Sequence, residues 1–400
     1  VALPVAWEEE EAAALAALAP GDGPVAFPRL TEAWIAPLAA RGRKLGILKD
    51  EAEAAAFAES LRALVLARRG APGVATWRGE ARGSARFVLN LPAFLDPVGG
   101  FDTAEYAAAV ALGVRTLDIM TGAKAARLAL GFADLAGLLA LLGLRYDSAE
   151  ARAVGAAVAA LTRGAAEAES GRIAERLGAR EPVCLLAPAP PEATVVPGLA
   201  AAARAALDAA AACDGMRHIG LIALAAPDAV ERLLGCESGH LAPPNGATRF
   251  APDAGGWVGE VPTRHAQRLG RERAEALLAP QLPAAWAAMA MAVSPYLDAP
   301  APTAAAEAEA PRAPLSITAP AMPNRGGLWR AAVGGHKVVL RTVEDGFGRP
   351  VEISVTLSKE GAAYRSLMDA MMGAVSIGLV EGVPLANYVE AYAYMRFGPA

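Results

Sequence analysis

One stretch constrains this chain more than any other. From Ala299 to Pro314 it reads Ala-Pro-Ala-Pro-Thr-Ala-Ala-Ala-Glu-Ala-Glu-Ala-Pro-Arg-Ala-Pro. No large apolar side chain stands there to offset the entropy of ordering the backbone, so residues 299–317 are expected to form a mobile linker. The chain on either side must then build two separate cores. Residues 1–75 read as a helical N-terminal segment, 76–298 as an α/β domain, and 318–400 as a smaller α+β domain.

Periodicity fills in the elements. Phe57, Leu61, Leu64 and Val65 recur at helical spacing within Glu51 to Arg69, and Gly70-Ala71-Pro72-Gly73 stops that helix. Arg86 to Leu91 reads as a buried strand. Thr103 is the expected cap of a helix over 104–120, with Glu105 in its first turn. Further helices are expected at 126–143, 147–162, 164–177, 197–213 and 271–294. Strands are expected at 182–186 and 219–224, and residues 226–270 read as irregular. In the smaller domain, strands 329–342 and 350–357 flank the turn Glu344-Asp345-Gly346-Phe347-Gly348, and helices 359–380 and 384–396 close it.

Bulk properties exclude several classes. The net charge of −5 offers no global attraction for nucleic acid or an anionic membrane. No apolar run reaches membrane-spanning length, the richest being Leu128 to Leu144, which Asp134 interrupts. Glu8 to Glu11 is the opposite of a basic signal-peptide start. A cytoplasmic protein is therefore expected. Cys184, Cys213 and Cys236 lack paired spacing, and His218, His240 and His265 lack ligand spacing, so neither a disulfide framework nor a metal site is expected, while His336 reads as a structural turn or strand residue, with ligand binding as the alternative. The clusters Arg41-Arg43-Lys44 and Arg78-Arg82-Arg86 read as solvated faces, with binding of an anionic partner as the alternative.

The C-terminal segment carries a specific set of motifs. They are Met322-Pro-Asn-Arg-Gly-Gly327, Gly334-Gly-His-Lys-Val-Val-Leu-Arg-Thr342, Lys359-Glu-Gly-Ala-Ala-Tyr-Arg-Ser-Leu-Met368, Glu381-Gly-Val-Pro-Leu385 and Tyr394-Met-Arg-Phe-Gly-Pro399. This segment resembles the domain that follows the catalytic barrel in class II, adenosylcobalamin-dependent ribonucleotide reductases. Asn90-Leu91 with Phe101-Asp102, Arg127 to Leu139 with Gly143 to Ser148, and Ile219 to Pro243 with Cys236-Glu237 are similar to the second half of that barrel. The resemblance implies a partial, half-barrel α/β domain from roughly residue 75 to 245, followed by the tail domain.

The same resemblance brings the reductase chemistry into question. In the family a finger loop carries Asn-Pro-Cys-x-Glu, whose cysteine becomes the thiyl radical and whose glutamate is the base. Aligning on Asn90-Leu91 sets Thr76 at the asparagine, Arg78 at the radical cysteine and Glu80 at the base. Leu89 falls at the redox cysteine that precedes Asn90. Arginine cannot host a thiyl radical, and no cysteine lies between residues 1 and 183. The family's Pro-Thr-Gly-Thr-Ile phosphate loop corresponds to Ala226, Pro227, Asp228, Ala229 and Val230. Its glycine and both hydroxyls are gone, and Asp228 adds a charge that repels phosphate. The expectation is a pseudoenzyme with no cofactor and a protein partner or homo-oligomeric state, acting as a binding, scaffold or regulatory subunit. Two alternatives stand beside it. One is the accessory subunit of a split reductase, in which adenosylcobalamin would enter. The other is a small-molecule function in the remodelled pocket.

Overall fold

The computed structural model describes the chain except residues 1–2, 5–6, 8, 20–22, 81–84, 97–98, 181–187, 253–257, 303–325, 334–335, 345–349, 358–361, 381–382 and 393–400. The expected strand 182–186, most of the 299–317 linker, Arg82 and much of the tail motifs lie outside the described residues. The fold is mixed α/β and divides into two compact units, Val1–Ala310 and Pro311–Ala400.

The first unit opens with helices α1 (Glu9–Leu18), α2 (Phe27–Lys44) and α3 (Glu51–Leu66). Next come β1 (Gly70–Pro72), α4 (Val74–Trp77), β2 (Phe87–Asn90), α5 (Thr103–Met120) and β3 (Arg127–Ala133). Then follow α6 (Leu135–Leu141), α7 (Ala149–Leu177), α8 (Leu199–Ala211), β4 (Gly220–Ile222) and α9 (Ala229–Leu233). The unit ends with the hairpin β5 (Thr248–Pro252) and β6 (Val258–Pro262), then α10 (Arg264–Leu269), α11 (Arg271–Leu277) and α12 (Pro283–Val293).

The main sheet has the order β1-β2-β3-β4. β1 runs antiparallel to β2, while β2, β3 and β4 are parallel. Parallel neighbours need crossover connections, and α5 and then α6–α7–α8 supply them. Helices α5 and α7 pack against the strands. Phe87, Leu89, Leu130, Phe132 and Ile222 are consequently buried. Among the described residues the strands form no closed barrel.

Small residues set how closely the helices approach. A Cβ on Gly164, in the middle of α7, would lie 2.5 Å from the backbone of Ala206 and Leu207 in α8. Ala157, Ala159, Ala160 and Ala166 of α7 and Ala203 of α8 are buried, so alanine supplies much of this core.

Several expectations need correction. Residues 127–133 are a strand, since a parallel strand buried on both faces reads as a continuous apolar run that periodicity cannot tell from a helix. Asp134, at φ 62°, breaks that run and caps α6 by accepting from Gly137 N. The segments 147–162 and 164–177 are one helix, because Gly164 marks close packing and not a stop. Helix 271–294 is broken between α11 and α12, where Pro280 and Pro283 stand. Asp102, not Thr103, caps α5, its carboxylate accepting from Glu105 N at 3.0 Å. Gly70–Pro72 is a strand as well as a stop, and 226–270 holds α9, the β5–β6 hairpin and α10.

The second unit is an antiparallel meander, β7 (Leu328–Val333), β8 (His336–Glu344) and β9 (Pro350–Leu357), with helices α13 (Ala362–Val380) and α14 (Leu385–Tyr392). The expected single strand 329–342 is two strands, with Val333 opposite His336. α13 packs on β9, and Ser376 Oγ accepts from Ile353 N at 3.0 Å.

Candidate functional site

The segment that precedes the amino end of β2 and the segment that follows the carboxyl end of β4 approach each other, through Val74 and Arg86 on one side and Asp228 on the other. The residues of the finger-loop and phosphate-loop alignments belong to α4, to the α4–β2 connection, to β2, or to the segment that leads from β4 into α9. The structure brings the two sets together.

The described part of the connection between β1 and β2 is pinned at several points. Trp77 is buried, its indole N–H donates to Pro72 O at 2.9 Å, and its ring meets Trp34 edge to face with centroids 5.4 Å apart. Thr76 Oγ1 lies 3.7 Å from Met120 Sδ. Arg78 is partly exposed, donates to Ala17 O in α1 at 2.8 Å, and stands 3.9 Å from Glu80. Leu89 is fully buried. Asn90 Nδ2 donates to Arg68 O at 3.1 Å and to Leu234 O at 2.8 Å, tying β2 to the end of α9.

At the start of α9, Ala226 and Pro227 lead into Asp228, which caps the helix. Its carboxylate accepts from Val230 N at 2.7 Å, while Glu231 accepts from Asp228 N at 2.8 Å, completing a capping box over Ala229 and Val230. The same Asp228 carboxylate accepts from Val74 N and from Arg86 Nε, each at 3.1 Å. Arg86 also donates twice to Glu231, both bonds 2.7 Å. Arg86 is therefore buried and not part of a solvated face, which corrects the expectation for that residue, whereas Arg78 is exposed. Burial disfavours its charge, but Glu231 and Asp228 outweigh burial and hold its proton more tightly than usual. The outcome is a closed network: an internal carboxylate occupies the helix start, and an internal guanidinium neutralises it.

A second cluster lies beside it and was not legible as such. Buried Asp134 receives bonds from Ser238 Oγ at 3.0 Å and Glu237 N at 3.1 Å, and pairs with His265 Nε2 at 2.7 Å. Glu237 in turn accepts from His265 N at 3.1 Å, securing the first turn of α10. Burial works against both charges. The mutual attraction and hydrogen bonds win, so Asp134 lies below and His265 above its ordinary pKa. Burial first, and then the charges of Asp134 and Glu231, push the Cys236 thiol well up, the reverse of what a nucleophilic thiolate requires. The sequence had singled out Cys236-Glu237 only as an anchor of the resemblance.

Room for a ligand is scarce here. The cavity bounded by Arg86, Gly131, Glu231 and His240 measures about 10 Å³, the scale of one water molecule. His240 accepts from Leu241 N through Nδ1 at 2.7 Å. Among the described residues no group of three or more His, Cys, Asp or Glu is placed to hold a metal ion, and no helix is long and apolar enough to cross a membrane.

Sequence reading also missed a Ser-His-Asp arrangement joining α7, the segment before β4, and α5. Ser170 Oγ lies 3.0 Å from His218 Nδ1, and His218 Nε2 lies 3.2 Å from Asp118 Oδ1. All three residues are fully buried. Ser170 Oγ accepts from Arg217 N and His218 N, so its own proton goes to His218 and the imidazole donates to Asp118. With no substrate access, these residues clamp β4 to the helices.

Comparison with known proteins identifies the C-terminal part. Residues 318–400 match the TSCPD domain. The vitamin B12-dependent ribonucleotide reductase of Agrobacterium fabrum is 52% identical over 81 residues, covering 20% of this chain and 6% of that protein. The reductase of the same name from Bradyrhizobium diazoefficiens gives the same figures, 52% over 81 residues, 20% and 6%. That of Streptomyces coelicolor is 46% identical over 57 residues, 14% of this chain and 6% of that protein. The chain thus spans about 6% of the length of these curated relatives. By its TSCPD domain, a partial match, the chain is related to the class II ribonucleotide reductases.

Proposed function

We propose that this chain is a reductase-like protein without reductase catalysis, acting as a binding, scaffold or regulatory subunit of a larger assembly. The observation that carries the reading is the Asp228–Arg86–Glu231 network, which fills the helix start aligned with the phosphate loop with the chain's own charges. A nucleoside phosphate entering there would meet a carboxylate and would have to displace a buried guanidinium.

The geometry of the other aligned segment supports the same reading. β1 and β2 are antiparallel and joined by the segment that holds Thr76, Arg78 and Glu80. Adenosylcobalamin chemistry needs a thiol from which a cofactor radical can take hydrogen. Arg78 offers none, and the described cysteines, Cys213 and Cys236, stand elsewhere in the chain. These residues do not fit the cofactor. The small cavity likewise disfavours a new small-molecule activity at this site.

The TSCPD match favours a second reading, the accessory subunit of a split class II reductase. Affinity purification from native extract, with the assembly sized by light scattering, separates the two. A defined complex with a barrel-bearing reductase chain supports the second reading, and a complex with another partner supports the first. A clean monomer, or reduction of nucleotides by the chain alone with adenosylcobalamin and a dithiol, would sink the proposal.

A further inference from the structure

The element that packs along α9 is α1, and charged groups from several separate segments hold it there. Glu11, Ala14, Leu15 and Leu18 are buried, a stripe at i, i+3, i+4 and i+7 facing the body. The two leucines belong to the main core, and α1 packs along α9. Fully buried Glu11 is shared by two arginines from separate elements, Arg68 Nη1 at 2.8 Å and Arg264 Nη1 at 2.6 Å. Glu10 reaches Arg264 at 3.4 Å and also pairs with Arg249 of β5. At the other end, Arg78 donates to the Ala17 carbonyl, where a cation complements the helix dipole. Gly235, at φ 78°, makes the room: a Cβ there would lie 2.8 Å from the Arg264 guanidinium.

The seat therefore combines an apolar trough with a pair of arginines aimed at one carboxylate, and its guanidiniums come from residues 68, 78, 249 and 264. Such a surface recognises an amphipathic helix with a carboxylate at the first anchor and leucines four and seven residues later. We propose that α1 is the resident occupant of a helix-binding groove beside α9, and that an acidic amphipathic helix of a partner protein displaces it. This rests on the binding-subunit reading and names the chemistry of the partner.

The test uses the full chain with a protease site introduced between Ala19 and Val25 and cut after folding. Every residue remains, but α1 is no longer tethered, and the tether's effective concentration is removed. The probe is a fluorescein-labelled peptide of residues 7–19, followed by anisotropy. The expected result is that the probe exchanges into the cut protein. The Glu11→Gln peptide should bind about tenfold or more weakly, since a charge-assisted contact is lost. Raising salt from about 50 to about 500 mM should weaken binding severalfold. Unfolding of the cut protein, no exchange over a day, or equal binding of the Glu11→Gln peptide would each overturn the proposal by making α1 ordinary core. Exchange without any native complex keeps the groove and removes the subunit reading. A native complex without exchange keeps that reading and removes this one.

Discussion

Arg86→Met separates an internal ion network from one whose charges merely lie close together. Arg86 is the only cation among the contacts described for Asp228 and Glu231, and it donates to both. Methionine keeps most of the volume and removes the charge, leaving two carboxylates side by side with little water. Breaking a buried pair from one side costs about 3–5 kcal/mol. The lower end applies, because Asp228 retains Val74 N and Val230 N, Glu231 retains Asp228 N, and Asp228 is partly exposed. A loss of about 3 kcal/mol in a unit of this size lowers its melting temperature by roughly 6 °C. Equilibrium urea unfolding followed by circular dichroism reads it directly. Adding Asp228→Asn and Glu231→Leu to Arg86→Met should recover more than half of the loss, since the damage lies in the orphaned carboxylates. A loss below about 1 kcal/mol, the range of exposed pairs, would refute the argument. A triple variant no better than the single one would refute it too.

Three further outcomes follow from the same structure. His265→Gln should be most destabilising between pH 3.8 and 6.5, the ordinary values of the two partners. His265 is raised, so its contribution is full below 6.5 and fades as pH rises through its folded-state value. Asp134 is lowered, so its contribution is present above 3.8 and fades as pH falls through its folded-state value. Urea midpoints of wild type and variant across this range should converge on the alkaline side, and a difference that widened there would contradict the assignment. Gly164→Ala, which helix propensity alone favours by about 1 kcal/mol, should instead destabilise by about 2 kcal/mol, because the new Cβ meets α8 backbone. A rise in melting temperature would show that α7 and α8 separate easily. Isothermal titration with a nucleoside diphosphate should give no binding heat up to millimolar concentration; saturable heat lost on Arg86→Met would reverse the reading of the phosphate loop.

What the sequence could and could not reveal follows from the range of each signal. Helix α5, strand β2 and helix α8 were legible because their apolar patterns and stops are local. Strand β3 was not, since a strand covered on both faces has no polar alternation to betray its period. The Gly334-Gly335 pair is a recognised hairpin signal, and overlooking it merged β7 with β8. The site was half legible. A departure from the reductase motifs is read one aligned residue at a time, so Arg78 and Asp228 stood out. The contacts of the site pair residues drawn from far apart, Val74 and Arg86 with Asp228 and Glu231, Glu11 with Arg68 and Arg264, Asp134 with His265. No local pattern announces such a pair.

That difference bears on function. A loop that had simply lost its ligand would retain unsatisfied groups at the helix start, and drift alone would leave them so. Here the first turn of α9 is satisfied by Asp228, Asp228 by Arg86, and Arg86 by Glu231. The donors and charges at the start of α9 are thus met by contacts within the chain. Closed this way, the start of α9 has little left to offer a small molecule. The surface beside α9, covered by α1 through arginines on four different segments, has a great deal to offer a helix. The chemistry at this site favours recognition over turnover, and exchange of α1 is where that argument is most exposed to failure.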